Sequence, residues 1–467
     1  MRSAILWRVL PPLALAALLA PAQCPRQSYA FTHARVITVS GAPLSGATVV
    51  VCNGMITAVG ADAAVPADAE VVDATGLTIY PGFVDGFSQY GLPPAPAGRG
   101  AAPGRGGSPQ AAIAAQAAEI AGTLDGVPVN DPRRYIDPAA SGVDSDRVTA
   151  DLLDPPSGLT AVRDSGVLAT LVAPADGIFK GEAALINLRG PDAAAMLIEP
   201  HAGEVMELTP AGRGGYPSSV MGAVAVYRQT LLDAQRLATE IKMYRQAGQR
   251  GLPPPDYDPK TLPLLPLLQH QEAAYFVASD WDAILRALDL AKEFQLQPTI
   301  VGATEAQKAI PQLQAAHAGV LVSLAFAPAG AGRGGRGGGP SPAIVAAQRA
   351  EAESTPAALA KAGVPFGFTT MGLTANQTVL AQVKLAMDKG LSESEAWEAL
   401  TLHAARIVGA GTQLGSIEPG KIANLVVATG DPLAAGDSTV TNKWIMVAGD
   451  LFPVHAAPAA RRGSPQR

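Results

Sequence analysis

Strand and helix signals alternate along the second half of the chain, and few architectures accept that order. Phe276–Ala278 is a short apolar run, and Asp280 stands where it caps a helix whose Ile284, Leu288 and Ala291 share one face. Thr299–Val301 is the next run, followed by a helix from about Glu305. Thr355-Pro356 reads as the cap and first turn of another helix, Gly363 as its stop, and Val364–Phe368 as a buried strand. Ser392-x-x-Glu395 is a capping box that opens a helical stretch through Arg406. Strands that alternate with helices pair in parallel, so the pattern favours an α/β fold with a parallel sheet or barrel, and a (β/α)8 TIM-like barrel over roughly residues 79–410 is the expectation.

Both ends of the chain read differently. From Phe31 to Val72 short β-rich runs (Ala34–Val39, Ala47–Cys52, Ile56–Val59) are separated by Gly and Pro turns, with Asn53-Gly54 as a hairpin signal. At the far end Leu414–Lys421 is turn-rich, and Ala423–Ala428 and Lys443–Val447 read as strands. The 467 residues, 48% hydrophobic and 16% charged, suffice for one large domain and a small one, and the net charge of -6 implies no nucleic-acid or anionic-membrane partner. Cys24 and Cys52 are the only cysteines, too few for a disulfide framework or a cysteine metal site; whether they pair is open. The six histidines (33, 201, 270, 317, 403 and 455) form no His-x-His or His-x-x-x-His pair, so the usual zinc spacings are absent.

Residues 1–22 carry Arg2 and Arg8, an apolar run from Val9 to Leu19 and the small-residue site Ala20-Pro21-Ala22, the layout of a secretory signal peptide. Pro11-Pro12 breaks the run, which is too short to span a bilayer. The expectation is a soluble mature chain from near Gln23, in a periplasm or outside the cell. Two tracts rich in Gly, Ala, Pro and Arg, residues 95–110 and 327–342, read as flexible surface loops, and residues 456–467 as a frayed tail.

Ile79-Tyr80-Pro81-Gly82-Phe83-Val84-Asp85-Gly86-Phe87-Ser88-Gln89 is, by its residues, a short apolar strand entered by a Pro-Gly turn. It resembles the opening barrel strand of the amidohydrolase superfamily, where a Pro-Gly-Phe-Ile/Val-Asp-x-His-x-His run points two imidazoles at a metal. Leu414-Gly415-Ser416-Ile417-Glu418-Pro419-Gly420-Lys421-Ile422-Ala423-Asn424-Leu425-Val426-Val427 closely resembles that family's C-terminal signature, with Asn424 where Asp is usual. The resemblance, to imidazolonepropionase-like members, implies a small discontinuous β-sandwich formed by residues 23–78 and 411–455 beside the barrel.

The family holds zinc or another divalent metal with four histidines and an aspartate at strand ends. Carried over, those ligand positions fall on Phe87, Gln89, Val277, Gly302 and Met371, none with the family's donor atoms. No cofactor and no catalytic residue is therefore expected. Lys180 reads as a solvated loop lysine rather than a carbamylated bridge, His201 and His270 as surface or turn residues, and Asp85 as a structural carboxylate. The leading reading is a secreted member of the family whose hydrolysis of non-peptide carbon-nitrogen bonds, in cyclic amides or small peptide derivatives, is weakened or lost. The alternative is a metal-free pseudoenzyme that binds a small molecule or pairs with an active relative, with oligomerisation open. A metal-independent hydrolase using Asp280, Asp85 or Glu305 ranks last, since no Ser-His or paired-carboxylate grouping is legible.

Overall fold

The computed structural model describes residues 27–93, 142–155, 159–209, 217–248, 250–326, 341–374, 377–434 and 440–454. The segment read as a signal peptide, Cys24, the tract 95–110, most of 327–342, His455 and residues 456–467 lie outside the described residues.

Four N-terminal strands, β1 (Ser28–Val36), β2 (Leu44–Cys52), β3 (Met55–Gly60) and β4 (Glu70–Asp73), are followed by β5 (Thr78–Pro81). They share one sheet with the three C-terminal strands, which run Leu425–Ala428, Asn442–Val447 and Asp450–Pro453. The join is made by β5, where Tyr80 lies opposite Val426 and Ile79 opposite Val427 in antiparallel register. Phe31, Val36, Val49, Ile79, Leu425, Val427 and Met446 are fully buried together. Val426 points to the other face, one residue out of phase, and packs with Tyr80 in the larger cluster. Asn53 and Gly54 turn β2 into β3 with φ of 52° and 78°, the left-handed pair that a two-residue hairpin needs. Cys52, beside that turn, is disulfide-bonded.

The run read as one strand from Tyr80 to Gln89 is in fact two. Gly82 hands the chain from β5 to β6 (Phe83–Ser88), and a Cβ there would stand 2.4 Å from Leu168. The barrel proper is an eight-stranded sheet ordered β6, β7 (Val167–Val172), β8 (Phe179–Asn187), β9 (Leu197–Glu207), β10 (Ala274–Ala278), β11 (Pro298–Gly302), β12 (Gly319–Ser323) and β13 (Phe366–Thr369). The C-terminal strands are β14, β15 and β16 in the order given above. The TIM-like expectation is met, with one departure: β8 runs antiparallel to both neighbours. Its link from β7 is only a short loop, and a parallel crossover needs a dozen residues or more.

Helices cover the outside: α1 (Val220–Gln246), α2 (Trp281–Glu293), α3 (Ile310–Ala315), α4 (Pro342–Lys361), α5 (Val379–Asp388), α6 (Glu393–Leu400) and α7 (Leu402–Ile407). Asp280 caps α2 by accepting from the Ala283 N–H at 2.8 Å, and both bonds of the Ser392/Glu395 capping box are made. Thr355-Pro356 is not a helix start. It sits inside α4, which begins at the equivalent pair Ser341-Pro342, within the tract read as loop. Pro356 removes one backbone donor there, while the Thr355 hydroxyl ties the helix to the barrel by donating to the Thr304 carbonyl at 2.7 Å. Among the described residues no helix is long and apolar enough to cross a membrane.

Asn424 ties the two sheets together. Its Nδ2 donates to Asn187 Oδ1 at 2.6 Å, and its Oδ1 accepts from the Ala448 N–H at 3.0 Å. An ionised aspartate could make the second bond but not the first. Because Leu425 and Val427 complete the core around Phe31 and Ile79, a chain ending at Gly411 should expose apolar faces and the free edge of β5. Such a truncation is expected to aggregate on purification; a soluble monomer with an unchanged melting temperature would refute the shared core.

Candidate functional site at the barrel mouth

The C-terminal ends of the parallel strands and the start of β8 surround one mouth. Beneath it the barrel is filled by Val84, Leu171, Leu185, Val205, Tyr275, Val301 and Leu321. Gly86 admits Leu321 to the centre, since a Cβ on it would lie 2.4 Å from Leu321 Cδ2.

Four of the five positions carried over from the family meet there. Phe87 is buried in the interior cluster, and Val277 and Met371 pack half-buried against it. Gly302 ends β11 with φ 95°, and a Cβ on it would lie 2.8 Å from the Met371 methyl and 2.6 Å from Ser279 Oγ. The methionine thus occupies the space that a side chain at residue 302 would need. Its backbone is fixed by Ser323 Oγ, which donates to the Met371 carbonyl at 2.7 Å. Gln89 does not join them: β6 ends at Ser88, and Gln89 is exposed, its carbonyl accepting from the Leu92 N–H at 3.2 Å.

Lys180 corrects the sequence reading. It is no solvated loop residue but a strand residue of β8 only 2% exposed, with its ammonium 2.9 Å from Glu207 Oε2 and donating to the Ala175 carbonyl. A register shift between Phe179 and Gly181 sends Phe179 outward onto Tyr227 and turns Lys180 to the opposite side. Glu207 ends β9 opposite Val277, so the ion pair lies on the rim of the same mouth.

Asp85 also has partners that its neighbours in sequence do not reveal. Oδ1 accepts from the backbone N–H groups of Thr370 (2.9 Å) and Phe87 (3.2 Å), and Oδ2 bonds to the Thr370 hydroxyl. The Thr369 hydroxyl donates to the Phe87 carbonyl. Burial pushes the Asp85 carboxyl up to about 6, although each of these hydrogen bonds pulls it down. A cavity of about 10 Å³ lies beside it.

A second titratable group lies on the outer wall. Glu204 is buried and accepts from the Gly181 N–H at 3.2 Å; Glu182 Oε2 lies 2.5 Å from His201 Nδ1. Burial, then the neighbouring Glu182 and Glu272, push the Glu204 carboxyl well up, and burial with Glu182 pushes Glu272 up to about 7. His201 is at the surface as expected, but paired. At the opposite end of the barrel a cavity of about 350 Å³ opens between Asn53, Met55, Asn187, Leu197 and Asp450.

The mouth offers phenyl, isopropyl and thioether groups, an ammonium and one paired carboxylate. Zinc requires imidazole, thiolate or carboxylate donors converging at about 2 Å, and a buried ammonium repels cations. Among the described residues no group of three or more His, Cys, Asp or Glu side chains could hold a metal ion. These residues do not fit the family's metal.

Residues 342–450 match the amidohydrolase family model. No curated protein matches the chain. Among solved structures, an amidohydrolase from Thermotoga maritima MSB8 is similar with a TM-score of 0.69 and 24% identity, over 91% of this chain and 100% of that one. A prolidase complexed with N-methylphosphonate-L-proline has a TM-score of 0.52 and 17% identity, over 92% and 100%. Phenylurea hydrolase B has 0.52 and 16%, over 91% and 97%. The resemblance to the amidohydrolase superfamily is thereby met, and the structural likeness is one of fold.

Two expectations follow from the geometry. Raising the Asp85 carboxyl from its ordinary value near 3.9 to about 6 means that the folded state holds this proton more tightly than the unfolded chain. The resulting stability is full below about pH 4 and is lost as pH rises through about 6, on the order of 3 kcal/mol. Asp85→Asn should flatten that part of the stability profile in urea titrations, whereas Asp85→Ala should lower stability at every pH. Separately, Glu207→Gln should cost about 3 kcal/mol by stranding the buried Lys180 ammonium, and adding Lys180→Met should recover part of the loss. Additive single-variant costs in the same titrations would show that the pair is not coupled.

Proposed function

We propose that this chain, an amidohydrolase-fold barrel whose residues 342–450 match that family, does not carry out metal-dependent hydrolysis and works as a metal-free binding or partner protein. The observation that carries the reading is the Met371 methyl standing where a side chain on Gly302 would have to go. With Phe87 and Val277 on the same cluster, the centre of the mouth is apolar. The Lys180–Glu207 pair adds a fixed dipole at its rim. That combination suits a small ligand with one apolar face and one polar end, such as a cyclic amide or small peptide derivative, held without being cleaved. The reading includes export through the N-terminal segment, on the strength of its sequence alone.

Metal analysis of the purified mature protein tests it. After dialysis, zinc, manganese and iron are expected well below one ion per chain, and adding them should restore no amide hydrolysis. Near-stoichiometric metal that survives dialysis would sink the proposal.

A further inference from the structure

The long helix α1 buries one face and leaves the other bare. Ala223, Val226, Tyr227, Leu231, Ala234, Leu237 and Ile241 face the barrel. On the opposite side Met221, Leu232 and Met243 are 84%, 50% and 53% exposed. Single exposed apolar side chains are ordinary, but these three recur every eleven residues, about three helical turns, and so fall on one stripe. The stripe is symmetric about Leu232. Turning a second helix end for end on a two-fold axis through Leu232 sets Leu232 on its own copy and Met221 on Met243 of the other chain. Ala225 then meets Thr239, both exposed and small enough to let the helices approach.

The charges along the stripe are compatible with this. Arg228 is bound to both carboxylate oxygens of Glu293 (2.9 and 2.8 Å), and Arg236 lies 3.7 Å from Glu240. Each arginine therefore brings its own counter-charge to the place where the two would approach. The 27 residues of α1 span about 40 Å, and two such helices side by side bury on the order of 1,000 Å², the lower bound for a specific interface.

We propose that α1 is the contact of an antiparallel homodimer, a second copy of this chain packed across Leu232. The interface is isologous, so it closes on itself as a dimer. It rests on α1 alone and does not depend on the fate of the metal site.

Sedimentation of the full mature chain from low micromolar concentration upward should show a monomer–dimer equilibrium. Leu232→Glu, at a half-exposed position, should weaken it by about tenfold or more with helix content unchanged. Without reductant, Leu232→Cys should crosslink to itself, Met221→Cys should crosslink to Met243→Cys in mixtures, and Gln229→Cys should not crosslink. A wild-type monomer at every concentration overturns the proposal, as do a dimer untouched by Leu232→Glu and crosslinking at Gln229 in place of Leu232. The crosslinking pattern decides the matter even if the glutamate variant fails to fold.

Discussion

One carboxylate closes the barrel. Among the described residues no backbone ladder joins β13 to β6, although the two strands lie side by side. The seam is made instead by Asp85, which takes the Thr370 amide and hydroxyl, and by the Thr369 hydroxyl on the Phe87 carbonyl. A sheet edge left open at that point would expose unpaired backbone groups inside the molecule, where each costs free energy comparable to a lost hydrogen bond. The seam also fixes where Phe87 and Met371 stand, because Phe87 is itself one of the bonded residues and Met371 follows Thr370 directly. The Met371 N–H donates to Thr369 Oγ1 at 3.1 Å, which carries the constraint one residue further. Asp85 is thus structural, but its role is to define the mouth rather than merely to occupy the core.

Local signals in the sequence were legible, and partnerships across the fold were not. The Asp280 cap, the Ser392/Glu395 capping box and the Asn53-Gly54 hairpin each depend on a few adjacent residues, and each is found where it was read. Thr355-Pro356 failed because Ser341-Pro342 carries the same signature, and nothing local ranks one above the other. The direction of β8 is set by the length of its loop and by pairing with β9, so alternation alone suggests a parallel strand. Lys180 reads as a loop residue because glycines stand at 177 and 181 and its partner, Glu207, belongs to the next strand. Gln89 shows the limit of strand parity: alternation holds only while the strand lasts, and β6 stops at Ser88.

The apolar side chains at the mouth make physical sense as a set. Donors gathered for a metal repel one another or stay unsatisfied when no cation is bound, a cost the metal normally offsets. Phenyl, isopropyl and thioether groups carry no such cost and gain from burial. Methionine suits such a site, because its unbranched, polarisable chain adapts to an irregular gap, here with its methyl over Gly302. The glycine and its neighbours are therefore matched: a side chain at residue 302, already strained at φ 95°, would need both the Ser279 hydroxyl and the Met371 methyl to shift.

The Lys180–Glu207 pair follows the same logic one step further. The almost fully buried ammonium of Lys180 needs an anion close by, since burial without one is expensive. Here the chain supplies that anion as Glu207 at the end of β9, beside Val277. Such a pair is weak as a source of stability, because desolvation consumes most of the Coulomb gain, but it is directional and resists replacement of either partner alone. The barrel keeps one polar bearing in an otherwise apolar mouth. Asp85 fixes the mouth on the β6 side and the ion pair fixes it on the β9 side, so the apolar centre between them is held in shape by polar contacts at both edges.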